Sequence, residues 1–273
     1  MTYRITLFPL LLLALLVACQ PSQEAEGEGE NGQAEMADKG MDAPAEITLT
    51  KLEGSPAFSE ASLAMQGEPT MNEDGTYTFN FEVDGYELGA QTEAPMAMAN
   101  SGKGQHIHLI VDNDPYEAHY EPTATTDKLS EPGNHVVLAF LSRSYHESVK
   151  NLESPSSFVL GQYQTGDGEY EEADFSAPHL FYSRPKGTYV GEDTKNLLLD
   201  FFVLNADLGP EGYKVRATIN GQEFMLEEWA PYVLNGLPMG ELSVKLELLD
   251  AEGKPVPGPF NTVERTVMLK EAE

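Results

Sequence analysis

Cysteine is nearly absent from the chain. Cys19 is the only cysteine among 273 residues, so no disulfide can form within the molecule. The fold must therefore be stabilised by a hydrophobic core. The roughly 250 residues that follow Cys19 are enough for one large domain or two of ordinary size.

Positively charged residues are also scarce. Lysine and arginine together number 16, whereas aspartate and glutamate number 45, which gives a formal net charge of −29. Removal of residues 1–18 would make the charge −30, because they contain Arg4 and no acid. A surface this acidic repels the phosphates of nucleic acids, so no nucleic-acid partner is predicted. It favours solubility or the attraction of cations.

Long apolar runs are missing, apart from residues 7–18. This run is too short to span a membrane comfortably. It follows the positive charge of Arg4 and ends in small residues before Cys19, which is the pattern of a secretory signal. The other interpretation is an uncleaved anchor with a buried cysteine.

Residues 16–19 read Leu-Val-Ala-Cys and resemble the lipobox of bacterial lipoproteins. In that motif the cysteine is lipidated and becomes the new N-terminus. The resemblance implies a signal peptide over residues 1–18, lipidation at Cys19 and attachment to a membrane outside the cytoplasm. Gln20 favours the outer membrane over the inner one.

Residues 19–45 contain mostly Glu, Gly, Ala, Gln and Ser and almost no large apolar residue. Such a composition cannot bury enough surface to offset the entropy lost on ordering. The segment is predicted to be a lipidated, disordered acidic linker. A flexible chain of this length spans roughly 30 Å.

Beyond Ile47 the sequence consists of short runs of alternating apolar and polar residues, which are separated by Gly, Pro, Asn and Asp. Residues 76–83, 106–111, 213–219 and 242–248 alternate apolar and polar side chains, which is typical of β-strands. No helical periodicity is sustained. The sequence therefore predicts an all-β protein.

The two halves of this region resemble each other, which indicates an internal repeat. Residues 79–83 match residues 199–203, and residues 106–113 match residues 214–221. We predict two tandem immunoglobulin-like β-sandwich domains after the linker, over residues 46–165 and 166–273. A single larger sandwich or a jelly roll is the alternative.

Residues 104–112, 140–148 and 181–189 resemble blocks in bacterial lipoproteins that are described as phosphopeptide-binding proteins. The first block is also similar to periplasmic domains built around a histidine-x-histidine strand, whose function is unknown. Residues 142–146 are similar to the Ser-Arg-x-His core of forkhead-associated domains, with one more residue between arginine and histidine. The resemblance implies recognition of a phosphopeptide.

A phosphate dianion requires a cationic pocket, which arginine usually supplies. Five residues in the resembling blocks are the candidate ligand-binding residues: Arg143, Ser144, His146, Arg184 and Lys186. The alternative for Arg143 and Arg184 is a structural ion pair with neighbouring acids where the domains join.

Histidines in the first repeat form a second candidate site. Side chains two residues apart on a strand point the same way, about 6.6 Å apart, so His106 and His108 can approach one ion. The candidate metal ligands are His106, His108, His119, His135 and His146. Imidazole suits copper, zinc and nickel, and the nearby Met96 and Met98 favour cuprous copper.

No catalytic motif is recognisable, so the sequence predicts a binding protein and not an enzyme. The first interpretation is a membrane-anchored extracytoplasmic lipoprotein that binds a peptide or protein. The alternative is a periplasmic protein that binds copper or zinc through the histidines of the first repeat.

Overall fold

The computed structural model describes residues 46–150, 157–167 and 172–273. The predicted signal peptide, Cys19 and the acidic linker lie outside these described residues. All described residues belong to a single compact unit. Across these three ranges no helix is long and apolar enough to cross a membrane.

β-Strands dominate the described residues, and the one helix there is a short 3-10 turn at Gly191–Thr194. The strands are β1 (Thr48–Lys51), β2 (Ser62–Met65), β3 (Thr70–Met71), β4 (Tyr77–Asp84), β5 (His106–Val111), β6 (Glu117–His119), β7 (Thr123–Thr126), β8 (Gly133–Ser142), β9 (Phe158–Thr165), β10 (His179–Arg184), β11 (Thr188–Val190), β12 (Leu197–Leu204), β13 (Lys214–Ile219), β14 (Gln222–Leu226), β15 (Tyr232–Asn235), β16 (Gly240–Leu249) and β17 (Thr262–Lys270).

The first sandwich packs two antiparallel sheets against each other. In one sheet β4 pairs with β2, β3 and β7, and the other has the order β6-β5-β8-β9. Alternation along β5 turns Ile107, Leu109 and Val111 towards the core between the sheets, where they meet Phe79 and Phe81 of β4.

The second sandwich repeats this arrangement. Its sheets have the orders β1-β15-β12-β10 and β11-β17-β16-β13-β14. The series β6-β5-β8-β9 recurs as β14-β13-β16-β17, and β2-β4-β7 recurs as β10-β12-β15. The predicted equivalence of residues 106–111 and 214–219 is therefore confirmed, because β5 and β13 hold the same place. The all-β, immunoglobulin-like prediction is confirmed as well.

The strand β1 lies in the second sandwich, although the predicted boundaries put it in the first repeat. It pairs antiparallel with β15, with Thr48 opposite Asn235 and Lys51 opposite Tyr232. An unpaired edge strand exposes backbone hydrogen-bonding groups, and β1 covers this edge of β15. The first strand in the sequence therefore belongs to the second sandwich, and the strands of the first sandwich follow it along the chain.

The two sandwiches meet face to face through sheets that are buried on both sides. Leu138 and Phe140 of β8 pack against Phe181 of β10 and Phe202 of β12, and the rings of Phe140 and Phe202 are 4.9 Å apart. Every residue of β5, β10 and β12 is buried. The second face of β5, which carries His106, His108 and Ile110, is thereby enclosed between the sandwiches.

Candidate metal centre

Three of the five predicted histidines meet where the sandwiches join. His106 and His108 lie on the second face of β5, and His146 lies in the turn after β8. One ligand atom from each falls within 4.8 Å of the others. The sequence pattern placed the first two, and the fold brings the third to them.

The position of His146 depends on a tight turn. Its backbone has φ 73°, in the left-handed region that residues other than glycine seldom occupy. The turn is closed by hydrogen bonds from the His146 amide to the Arg143 carbonyl and from the Arg143 amide to the Glu147 carbonyl. These bonds offset the backbone strain and direct the imidazole towards β5.

The imidazole nitrogens are spaced like the ligands of a metal ion. His106 Nε2 lies 2.9 Å from His108 Nε2 and 3.1 Å from His146 Nδ1. Zinc–nitrogen bonds of about 2.0 Å in a tetrahedron separate neighbouring ligand atoms by about 3.3 Å. All three ligand atoms lie within 4.8 Å of one another, so small shifts of the rings would bring them to this spacing.

Backbone contacts orient His106. Its Nδ1 lies 2.8 Å from the carbonyl oxygen of Gly104, so Nδ1 carries the hydrogen and donates it, which leaves the Nε2 lone pair directed at the other two rings. Gly104 has φ +87°, and a Cβ there would lie 2.1 Å from the Gly89 carbonyl oxygen. Position 104, whose own carbonyl accepts the hydrogen bond from His106, therefore requires glycine.

All three imidazoles are held in the neutral form. Burial lowers the pKa of His106 to about 4, and the positive charges of Arg184 and Lys186 act in the same direction. Burial also lowers the pKa values of His108 and His146, with further contributions from neighbouring histidines and from Arg184. Neutral imidazole is the form that binds metals, so the cluster is ready to coordinate at neutral pH.

These lowered pKa values predict acid sensitivity. Because the unfolded histidines have a pKa near 6.5, the unfolded chain binds more protons, and the contribution to stability that is present above pH 6.5 is lost as the pH falls towards about 4. We expect the urea midpoint of the metal-free protein to drop across this window, above the range in which most carboxylates titrate. His146→Gln should make the dependence shallower. A midpoint that stays constant across the window would contradict this prediction.

His119 and His135 do not belong to the cluster. His119 on β6 is paired with Ile107, so it shares the core-facing side of the sheet and not the side of His108. The Nδ1 of His135 lies 2.7 Å from Asp112, and its Nε2 lies 2.9 Å from the Glu131 carbonyl oxygen. The ring of His135 therefore links the residue that follows β5 to the loop that precedes β8.

Met96 and Met98, whose proximity in the sequence favours cuprous copper, have other surroundings in the structure. Met98 packs beside a separate apolar cluster that contains Leu52 and Tyr145, and Met96 is 40% exposed. The histidine cluster offers nitrogen ligands, which suit cupric copper and zinc better than cuprous copper.

The candidate phosphopeptide residues divide into two groups. Arg143 donates to Glu147 and to the Ser148 carbonyl, each at 2.9 Å, and also to the Pro56 carbonyl. Ser144 is buried and bonds with the backbone of Thr92. The structural ion pair is thus the role that the structure gives Arg143, and its donors are not directed at a ligand.

The second group surrounds a tyrosine that sequence reasoning missed. Tyr116 stacks on His108 with ring centroids 3.5 Å apart, and its hydroxyl lies 3.2 Å from His146 Nδ1. The Lys186 ammonium lies 3.8 Å from the Tyr116 ring centroid, and the Arg184 guanidinium lies 5.4 Å from it. Ala118 pairs with His108 and therefore lies on the histidine side of the sheet. Tyr116 is two residues from Ala118, so strand alternation places it on that side as well.

No family model matches the chain, and no curated protein matches it. Solved structures that are similar to this chain include fibronectin(III)-like modules of Clostridium thermocellum CbhA. The identity is 13% over 34% of this chain and 99% of that chain, with a TM-score of 0.28. The tandem V-type regions of the chitin-binding protein VCBP3 give 5% identity over 82% of this chain and 99% of that one, with a TM-score of 0.22. Bacteroides ovatus SGBP-B, solved with a mixed-linkage heptasaccharide, gives 8% identity over 84% and 72%, with a TM-score of 0.19.

Proposed function

We propose that this chain is a membrane-anchored, extracytoplasmic lipoprotein that binds one transition-metal ion, copper(II) or zinc. The observation that carries the proposal is the convergence of His106, His108 and His146 with nitrogen separations of 2.9 and 3.1 Å. Two of these histidines are fully buried, which excludes water as a competing partner for their lone pairs.

The proposal is supported by the chemistry around the ligands. The carbonyl of Gly104 fixes the tautomer of His106, and such outer partners typically raise metal affinity on the order of 10- to 100-fold. The formal charge of −29 attracts cations towards the protein as a whole. The exported location rests on the lipobox-like residues 16–19 and on Cys19.

Metal analysis of the full-length chain, purified in detergent without a histidine tag, tests the proposal. We expect one equivalent of copper(II) or zinc per chain, and a chelator should remove it. Failure of the protein to bind either ion by calorimetry would overturn the metal function.

Membrane association should depend on Cys19, so Cys19→Ala should move the protein to the soluble fraction.

Recognition of a peptide or protein, and the absence of catalysis, stay predictions. Arg143 and Ser144 have structural partners, so the geometry does not assemble the five candidate residues into one anion pocket. The likeness to lipoproteins described as phosphopeptide-binding stays a prediction too.

A further inference from the structure

One oxygen atom lies beside the nitrogen that His146 contributes to the histidine cluster. The hydroxyl oxygen of Tyr116, Oη, is 3.2 Å from His146 Nδ1. We propose that Tyr116 is the fourth ligand of the bound metal ion, through its phenolate oxygen. This inference rests on the proposed metal function and adds a ligand to the same site.

The geometry of the four donor atoms supports this assignment. Successive separations run 2.9 Å from His108 to His106, 3.1 Å from His106 to His146 and 3.2 Å from His146 to Tyr116. These three separations are close to the edge of about 3.3 Å that is expected in a tetrahedral site, and the remaining nitrogen pair, His108 and His146, lies within 4.8 Å. Tyr116 is 2% exposed and stacked on His108 at an angle of 14°, so its ring is held with Oη at the cluster.

The charges around Tyr116 favour a phenolate over a neutral phenol once a metal ion is bound. Arg184 is 8% exposed, yet its guanidinium forms no salt bridge with a carboxylate of the described residues, and its Nε has no hydrogen-bond partner. It donates instead to the hydroxyl of Tyr189. A buried guanidinium without a counter-charge is costly. Lys186 adds a second cation on the Tyr116 ring.

A phenolate on Tyr116 would cancel one of the two positive charges that a metal ion brings to this junction. When the bond between Oη and the metal forms, the O–H bond breaks and the proton is released to solvent. The new anion offsets part of the repulsion between a metal dication and the two cations Arg184 and Lys186. Without it, Arg184 and Lys186 would face the full charge of the dication.

This assignment also defines the kind of site. Three nitrogens and one hard oxygen suit copper(II) or zinc and not copper(I). Four protein ligands close a tetrahedral site and leave no open position for a substrate, as in structural or storage sites. The metal would then be held and not used to activate water.

Copper(II) titration of the full-length chain in detergent tests the inference. We expect wild type to bind one equivalent and to develop a visible phenolate-to-copper charge-transfer band. Tyr116→Phe removes one oxygen and keeps the stacked ring, so it should still bind copper through the histidines, without the band and with affinity lowered on the order of 10- to 100-fold. Circular dichroism and binding of zinc confirm that the variant is folded.

Tyr120→Phe is the matched control. The ring of Tyr120 lies 5.0 Å from that of His106, but its hydroxyl bonds with Ser101 and not with the cluster, so the band should persist. Stoichiometric copper binding without a band in wild type, or a band that survives in Tyr116→Phe, would overturn the fourth ligand and leave the three-histidine site intact. Absence of copper and zinc binding in wild type would overturn both.

Discussion

We expect His106→Ala to weaken copper(II) and zinc binding by more than about 100-fold, because loss of an outer partner alone typically costs 10- to 100-fold. His106 Nε2 is the atom common to both short nitrogen separations, 2.9 Å to His108 and 3.1 Å to His146. Its removal therefore deletes a ligand and also the group that holds the other two together. Calorimetric titration with each metal measures the change.

The control for this substitution is His135→Ala. His135 lies in the same sandwich, is also buried, and uses both ring nitrogens in hydrogen bonds to Asp112 and Glu131, so its loss should leave metal affinity unchanged. Unchanged affinity in His106→Ala would show that any bound ion lies elsewhere. A chelator-treated sample of each variant should keep the same circular dichroism spectrum, which separates loss of the site from loss of the fold.

The fold was predictable because its signal is local. Alternation along β5 identifies Ile107, Leu109 and Val111 as a core face, and the structure confirms it. The opposite face could not be assigned in the same way, because its burial depends on Phe181 and Phe202, which lie far along the chain. A sheet enclosed on both sides differs from a half-exposed one only through such distant packing.

The histidine cluster shows the same limit. The period of two in a strand places His106 and His108 on one side, which is a local property. Whether His119 joins them depends on the register between β5 and β6, and the observed pairing with Ile107 turns it away. A shift of one residue would reverse that outcome, since it exchanges the two faces of a strand. The alternation signal of Tyr116 becomes visible only once this register is known.

Ion pairing was the least predictable feature. Arg143 and Glu147 are close in sequence and pair within one turn, as the structural interpretation of Arg143 anticipated. Arg184, in contrast, finds tyrosines and not acids, although acids outnumber cations almost three to one. Composition describes the surface, whereas a buried charge depends on which side chains the fold places around it.

We expect Asp200→Ala to lower the free energy of unfolding by about 3–5 kcal/mol, the cost of removing one partner from a buried ion pair. Asp200 of β12 is fully buried, and its carboxylate accepts hydrogen bonds from the amide and hydroxyl of Ser148, each at 3.1 Å, and from the ammonium of Lys150. It thus joins the second sandwich to the segment after β8 of the first. Urea unfolding at neutral pH measures the loss.

The large effect follows from what remains after the substitution. The side chain of Lys150 is 10% exposed, so without Asp200 its ammonium would stay buried with no carboxylate beside it. Removal of Glu192, which pairs with Lys195 on the surface, is the matched control and should cost no more than about 0.5 kcal/mol. Asp200→Asn keeps an acceptor and loses the charge, so its cost should fall between the two. Equal midpoints for Asp200→Ala and Glu192→Ala would show that this buried charge does not hold the sandwiches together.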